Sequence, residues 1–305
     1  MTIKTYLDKL RHILEDNNYP DFYDALEEVN SIIWDRREMG ESDKEIVSYL
    51  GSPEKLAKKL MSHKENIEKF SENVDSFSLA NVEIHVKNID VNIVSTNSKR
   101  ITVTASKSFC VEIKRNKNSI KIKQLKNRTL FDVISSFGLI VTIGVPENII
   151  LEKLEITNET KNTSISAVEI VDLDLKVNSG DIKIRNSRIY TANVDNVSGD
   201  IEIYDSTIHD LRAENITGDV EIKEFNGKKT MIRNESGDVD INGIRSDYID
   251  VHCVSGDVDV MVNASEKEYH VALKDEDEFD EYNDYESKSL FLTSTSGDVD
   301  YHFYN

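Results

Sequence analysis

Ser179-Gly180-Asp181-Ile182-Lys183-Ile184 is followed by Ser198-Gly199-Asp200-Ile201-Glu202-Ile203, Thr217-Gly218-Asp219-Val220-Glu221-Ile222, Ser236-Gly237-Asp238-Val239-Asp240-Ile241 and Ser255-Gly256-Asp257-Val258-Asp259-Val260, each phrase 19 residues after the last. A sixth, Ser296-Gly297-Asp298-Val299-Asp300-Tyr301, comes 41 residues later. A constant step is the mark of stacked repeats, because unrelated hairpins would not keep one length. Within each phrase a polar residue sits between two apolar ones, the alternation of a strand with one buried face. A second alternating piece precedes the next turn, as in Ala192, Val194 and Val197, or Leu211, Ala213 and Ile216. Two short strands and two turns fill 19 residues and leave no room for a helix. The repeats are therefore expected to wind as a solenoid with parallel neighbours about 4.8 Å apart. Gly180, Gly199, Gly218, Gly237, Gly256 and Gly297 fall in the turns, where a positive φ or a close approach of coils suits a residue without a Cβ.

Upstream, Val82, Ile84 and Val86, then Val91 and Ile93, Ile101 and Val103, Val111 and Ile113, and Ile120 and Ile122 predict a meander of short strands. Leu139 to Pro146 is a further strand closed by its proline. Irregular early coils are expected through Leu154, Ile156, Ile165, Val168 and Ile170, with no Gly-Asp between Asn158 and Thr163. The first seventy residues differ. Leu7, Leu10, Ile13 and Leu14 recur at helical spacing, and Phe22, Ala25, Leu26, Val29, Ile32 and Ile33 repeat the pattern after Pro20. Ser42 and Glu45 have the spacing of a capping box over Ile46, Val47 and Leu50, and Ser52-Pro53 opens a fourth helix over Leu56, Ala57, Leu60 and Met61. The fold class expected is α+β, mainly β, with a helical domain at 1–70 and a repeat domain at 74–305, irregular to 160 and regular over 161–305.

The stretch from Met39-Gly40-Glu41-Ser42 through Leu50-Gly51-Ser52-Pro53 to Ala57 resembles the HAAS signalling domain. The "Val-x-Val-Pro"-type strand followed by repeated Ser-Gly-Asp-Ile/Val phrases resembles the bacterial putative-adhesin β-strand-repeat family, over roughly residues 74 to 305. That second resemblance implies a right-handed solenoid. The pairing of the two is similar to Lia-type cell-envelope stress proteins, and implies binding or sensing in an envelope-stress or signalling system, with the helices contacting a protein partner.

The formal net charge of −20 disfavours bulk nucleic acid and anionic lipid, and no local basic patch is read that would reverse the bias. Cationic peptides, basic protein surfaces and divalent metal ions are the partners such a field attracts. Cys110 and Cys253 fit neither a disulfide framework nor a CxxC motif, which points to a reducing compartment. The most apolar stretch, Leu130 to Val145, contains Asp132 and is too short for a membrane-spanning helix, and Met1 to Leu14 lacks the apolar core of a secretory signal. A cytoplasmic location is expected, with association with the cell surface by a route without a signal peptide as the alternative.

Wound in register, Asp181, Asp200, Asp219, Asp238 and Asp257 would form one file, and Lys183, Glu202, Glu221, Asp240 and Asp259 a second beside it. Like charges opposed on neighbouring strands repel. Either each turn Asp accepts hydrogen bonds from nearby N–H or hydroxyl groups, or the files hold cations or a cationic peptide. The acidic run Asp275 to Glu286, with Phe279, Tyr282 and Tyr285 interleaved, is expected as a solvated loop or a partner-docking segment. No HExxH, phosphate-cradling Gly loop or singular Ser with a His base occurs, so neither a metal site, a cofactor nor a catalytic residue is assigned. The function expected is a non-catalytic binding or sensing protein, with a surface adhesin or structural protein as the alternative. A β-helix carbohydrate-active enzyme is the remaining rival, since solenoid grooves can carry paired carboxylates.

Overall fold

The structure is a computed structural model; it describes residues 1–17, 26, 29–30, 32–34, 36–37, 40–62, 68–71, 80–105, 111–116, 118–125, 139–273 and 288–304. The chain divides into two compact units. One comprises Met1–Glu68, Thr104–Glu112 and Gln124–Ile140, the other Lys69–Val103, Ile113–Lys123 and Val141–Asn305. Mainly β structure with a few N-terminal helices is what the alternation of the sequence implied, and Phe22, Ala25, Cys110 and the acidic run at 275–286 lie outside the described residues.

In the first unit, helices span Ile3–Asp16, Asp43–Leu50 and Pro53–Ser62. Thr2 caps the first by accepting from Thr5 N at 3.2 Å, and Ser42 with Glu45 forms the full capping box of the second. Gly51 ends that helix at φ 73°, a value few side chains tolerate. The apolar stripes converge: Tyr6, Leu10 and Leu14 meet Val29, Ile33, Ile46, Leu50, Leu56 and Ala57 in one buried cluster. Tyr6 also donates through its hydroxyl to Leu50 O at 3.4 Å.

The second unit is a solenoid-like parallel sheet. Long strands at Glu169–Val177, Arg188–Ser198 and Thr207–Thr217 pair in parallel, with Ile170 opposite Ile189 and Ile189 opposite Ile208. Short strands at Ile182–Arg185, Ile201–Tyr204 and Val220–Asn226 do the same, so each residue meets the one 19 places on. Identical positions then stack inside. Ile93, Ile165, Ile184, Ile203, Ile222, Ile241 and Val260 form one buried file, which β-branched side chains fill well on a pleated surface.

Two expectations are corrected. The segment expected to be a meander is parallel, because Val82 and Ile84 lie beside Ile120 and Ile122 on one side and beside Leu154 and Ile156 on the other. Asp90–Thr96 pairs likewise with Thr163–Ser166, so residues 80–96 form a coil of the stack from which the chain departs before returning at Ile150. Coils expected to be irregular are in register: Leu154 faces Leu173 and Ile165 faces Ile184, since Asn158 to Thr163 supplies a turn of the same length without Gly-Asp. After Val262 the chain adds Tyr269–Leu273, which pairs in parallel with Lys288–Ser296, and the sixth phrase then returns to its file with Val258 opposite Val299.

Ile203 is completely buried between Ile184 and Ile222, so Ile203→Ala is expected to cost about 2–5 kcal/mol in urea denaturation. Val197→Ser, on the outer face at 43% exposure, should change stability by no more than about 0.5 kcal/mol.

Candidate functional site

Each Ser/Thr-Gly-Asp turn packs backbone against backbone. Gly218 has φ 122°, and a Cβ there would lie 2.2 Å from Gly199 O. The glycine N–H donates to the residue before the next glycine, as Gly199 N does to Thr217 O and Gly218 N to Ser236 O, both at 3.0 Å. The aspartate that follows is tied to its predecessor. Asp219 N donates to Asp200 Oδ1, Asp238 N to Asp219 Oδ1 and Asp257 N to Asp238 Oδ1, all at 2.9 Å. The file extends both ways, from Asp257 to Asp298 and from Asp200 back through Asp181, Asn162 and Asp90. Asn162 holds the same bond through its amide oxygen, accepting from Asp181 N at 2.8 Å, so the position requires an acceptor and not a charge.

Beneath the turns runs a second file that sequence reasoning missed. Asn196, Asn215 and Asn234 are buried, and their amide nitrogens donate to Gly180 O, Gly199 O and Gly218 O at 3.1–3.2 Å. Cys253 and Ser294 reach Gly237 O and Gly256 O from the corresponding places. The available signal was an Asn three residues ahead of Gly199, Gly218 and Gly237.

Two positions past each turn Asp, the register sets Lys183, Glu202, Glu221, Asp240, Asp259 and Asp300 side by side. The two acidic files border an open groove of about 320 Å³, lined by Asp200, Glu202, Asp219, Val220, Glu221, Asp238 and Asp240. Six expected residues thus meet in one place. Asp181, Asp257 and Asp259 occupy the same files beyond the groove. Four side chains engage the outer file: Lys183 and Arg185 bond Glu202 at 2.7 and 3.1 Å, while Lys223 and the Tyr204 hydroxyl both bond Glu221.

These contacts divide the carboxylates. Glu202 loses hydration, yet the bonds from Lys183 and Arg185 prevail and hold it below the usual range, and Glu221 is lowered by Lys223 and then Tyr204. Asp240 is raised, first by desolvation in the groove and then by Asp259 beside it. Desolvation and the bond to Glu221 raise Tyr204. Among the described residues, no three His, Cys, Asp or Glu side chains converge as a metal-binding group, and no helix is long and apolar enough to cross a membrane.

Residues 99–128 hold ten Lys or Arg against Glu112 alone. Lys99, Arg100, Lys114, Arg115, Lys121 and Lys123 are the described ones, and Lys121 is paired with Glu83.

The Toastrack DUF4097 family model matches residues 79–303. Among solved structures, a Parabacteroides distasonis protein named "putative lipid binding protein" superposes with a TM-score of 0.42 at 12% identity, over 78% of this chain and 98% of that one. A Clostridium sporogenes protein named "putative cell adhesion protein" gives 0.27 at 13% identity, over 78% of this chain and all of its own. No curated protein matches the chain.

Asp219→Ala removes the acceptor for Asp238 N and is expected to cost about 0.5–1.5 kcal/mol in chemical denaturation. Asp219→Asn keeps the acceptor, as Asn162 does, and should leave stability within about 0.5 kcal/mol. A carbon-detected titration should place the Asp240 carboxyl above the ordinary aspartate value and those of Glu202 and Glu221 below the ordinary glutamate value. The raised Asp240 adds stability as pH drops through its native value toward 3.8, whereas the lowered Glu202 and Glu221 give stability above 4.5 that is lost as pH falls through their native values.

Proposed function

The chain belongs to the Toastrack DUF4097 family, and on that footing we propose that its repeat domain is a non-catalytic binding or sensing module whose acidic groove takes cationic peptide segments. The observation that carries the reading is the convergence of six carboxylates on one groove. The files make a grid with steps of about 4.8 Å between coils and about 6.7 Å between residues two apart on a strand. An extended peptide presents alternate side chains at that second interval, so Lys or Arg at every other position can reach both files of one coil. In this reading the coils of 19 residues wind right-handed, and the N-terminal helices contact a protein partner within an envelope-stress or signalling system.

Exposed ion pairs contribute about 0.2–1 kcal/mol each, so six of them support binding no tighter than tens of micromolar, with strong salt dependence. Retention is therefore rapid and reversible. One observation favours a glycosidase instead. Glu221 and Asp240 are neighbours in their file, with carboxyls displaced in opposite directions, the division of labour an acid and a nucleophile need. Against it, both carboxylates belong to a periodic file, and Glu221 is already engaged by Lys223 and Tyr204.

Calorimetry with a Lys-rich peptide should show binding at about 20 mM salt that is lost by about 200 mM. The triple change Asp200→Asn, Asp219→Asn and Asp238→Asn should weaken it at least about tenfold with the fold intact, because Asn preserves the turn bonds. Equal binding by the triple variant, or hydrolysis of an oligosaccharide abolished by Glu221→Gln, would remove the reading.

A further inference from the structure

A stack of parallel coils ends in four strand edges, two at each end. Three are covered by a strand placed out of chain order. Ser119–Gln124 lies along Ala80–Val86, Ile140–Pro146 along Asp90–Thr96, and Tyr269–Leu273 along Lys288–Ser296. Each of these covering strands belongs to a detour from the regular winding. The fourth edge is Val299–Phe303, whose register is with Val258–Val262 on its inner side, and no described strand lies along its outer side.

The exposed edge has the features of a half-made layer. In every earlier turn the glycine N–H and the N–H two residues on donate to the next coil, as Gly256 N does to Ser296 O and Val258 N to Asp298 O. Among the described residues, Gly297 N and Val299 N have no such successor, and Asp298 is the last of its file. The core positions are incompletely covered as well. Val258, Val260 and Val262 are at most 1% exposed, whereas Val299, Tyr301 and Phe303 opposite them are partly open. Aromatic rings replace aliphatic ones here, with Tyr301 and Phe303 at 6.1 Å and Phe303 and Tyr269 at 5.5 Å between centroids. Terminal repeats that remain solitary in water usually turn a polar face outward.

We propose that Val299–Phe303 is a self-association edge, on which a second copy of this chain lays the same strand antiparallel about a two-fold axis. Charge selects this arrangement. Centred on Tyr301, the pairing sets Val299 against Phe303 of the second copy and the outward Asp300 against its His302, twice per interface, and an imidazole N–H can donate to the carboxylate in either protonation state. A parallel end-on stack would set the two Asp298 carboxylates together. The antiparallel pairing holds them about 20 Å apart, two screening lengths or more. An unpaired strand edge is a template for another strand.

The full chain is examined by sedimentation between about 1 and 100 µM. The native protein should dimerise reversibly. His302→Asp sets two aspartates across the axis and should weaken the dimer at least about tenfold, while Asp300→His combined with His302→Asp exchanges the partners and should restore it. Far-ultraviolet circular dichroism, unchanged in both variants, establishes that the last coil is folded. A monomer throughout this range, or a dimer indifferent to His302→Asp, overturns the proposal. So does a monomer whose Val299 and Tyr301 amides resist hydrogen exchange, because another part of the same chain then covers the edge. Peptide binding in the groove is read separately and is expected in both variants.

Discussion

The turn carbonyl of one coil occupies the space into which a side chain of the next turn would project. From Gly199 to Gly297 an added Cβ would come within 2.1–2.4 Å of the preceding glycine oxygen, far inside contact distance. That approach locks each turn above the last, and any coil one residue longer would carry its turn away from the stack. Equal coil length is thus a steric demand at a single point per coil. The core files follow from it: because turns are superposed, Ile184, Ile203, Ile222 and Ile241 are superposed too. Detours are admitted only where the chain leaves and rejoins at the same point, as it does between Val262 and Lys288.

Superposition also forces like charges together, and the structure answers this differently in its two acidic files. The turn aspartates accept backbone N–H groups that would otherwise face a carboxylate-lined edge without an acceptor, which offsets part of their mutual repulsion. Outward positions have no such backbone donor. There Glu202 and Glu221 rely on Lys183, Arg185, Lys223 and Tyr204, side chains that the sequence supplies in the earlier coils. By Asp240 that supply is used up, and its raised carboxyl marks where compensation ends.

Periodicity made the stacked coils legible, since a step of 19 residues fixes neighbours without knowledge of geometry. Alternation fixed which residues face inward, and helix caps at Ser42 and Ser52 fixed the helical boundaries. The first coil was not legible. Val82 and Ile84 have the alternation of any strand, and only three-dimensional register shows that they lie between Ile120 and Leu154. The groove was legible as two files of carboxylates, but Arg185, Tyr204 and Lys223 were not, because they stand two residues further along the strand, where the repeat varies its chemistry. Asn196, Asn215 and Asn234 escaped for the opposite reason: a polar residue at an inward position contradicts the pattern used to find the core, and its purpose is visible only when the glycine carbonyl above it is located.

Potential along the solenoid is consequently graded. Lys183 and Arg185 meet the outer file at its early end, while Asp240, Asp259 and Asp300 follow one another without an intervening base. On the proposed reading, a cationic segment diffusing nearby would be drawn toward the later coils, since fields from unpaired carboxylates extend about 8–10 Å at physiological salt and paired ones cancel at shorter range. Docking would then be completed farther back, where the groove from Asp200 to Asp240 offers both files at once. On that reading, steering and seating would fall to adjacent parts of one surface through nothing more than the side chain chosen at one position in each coil.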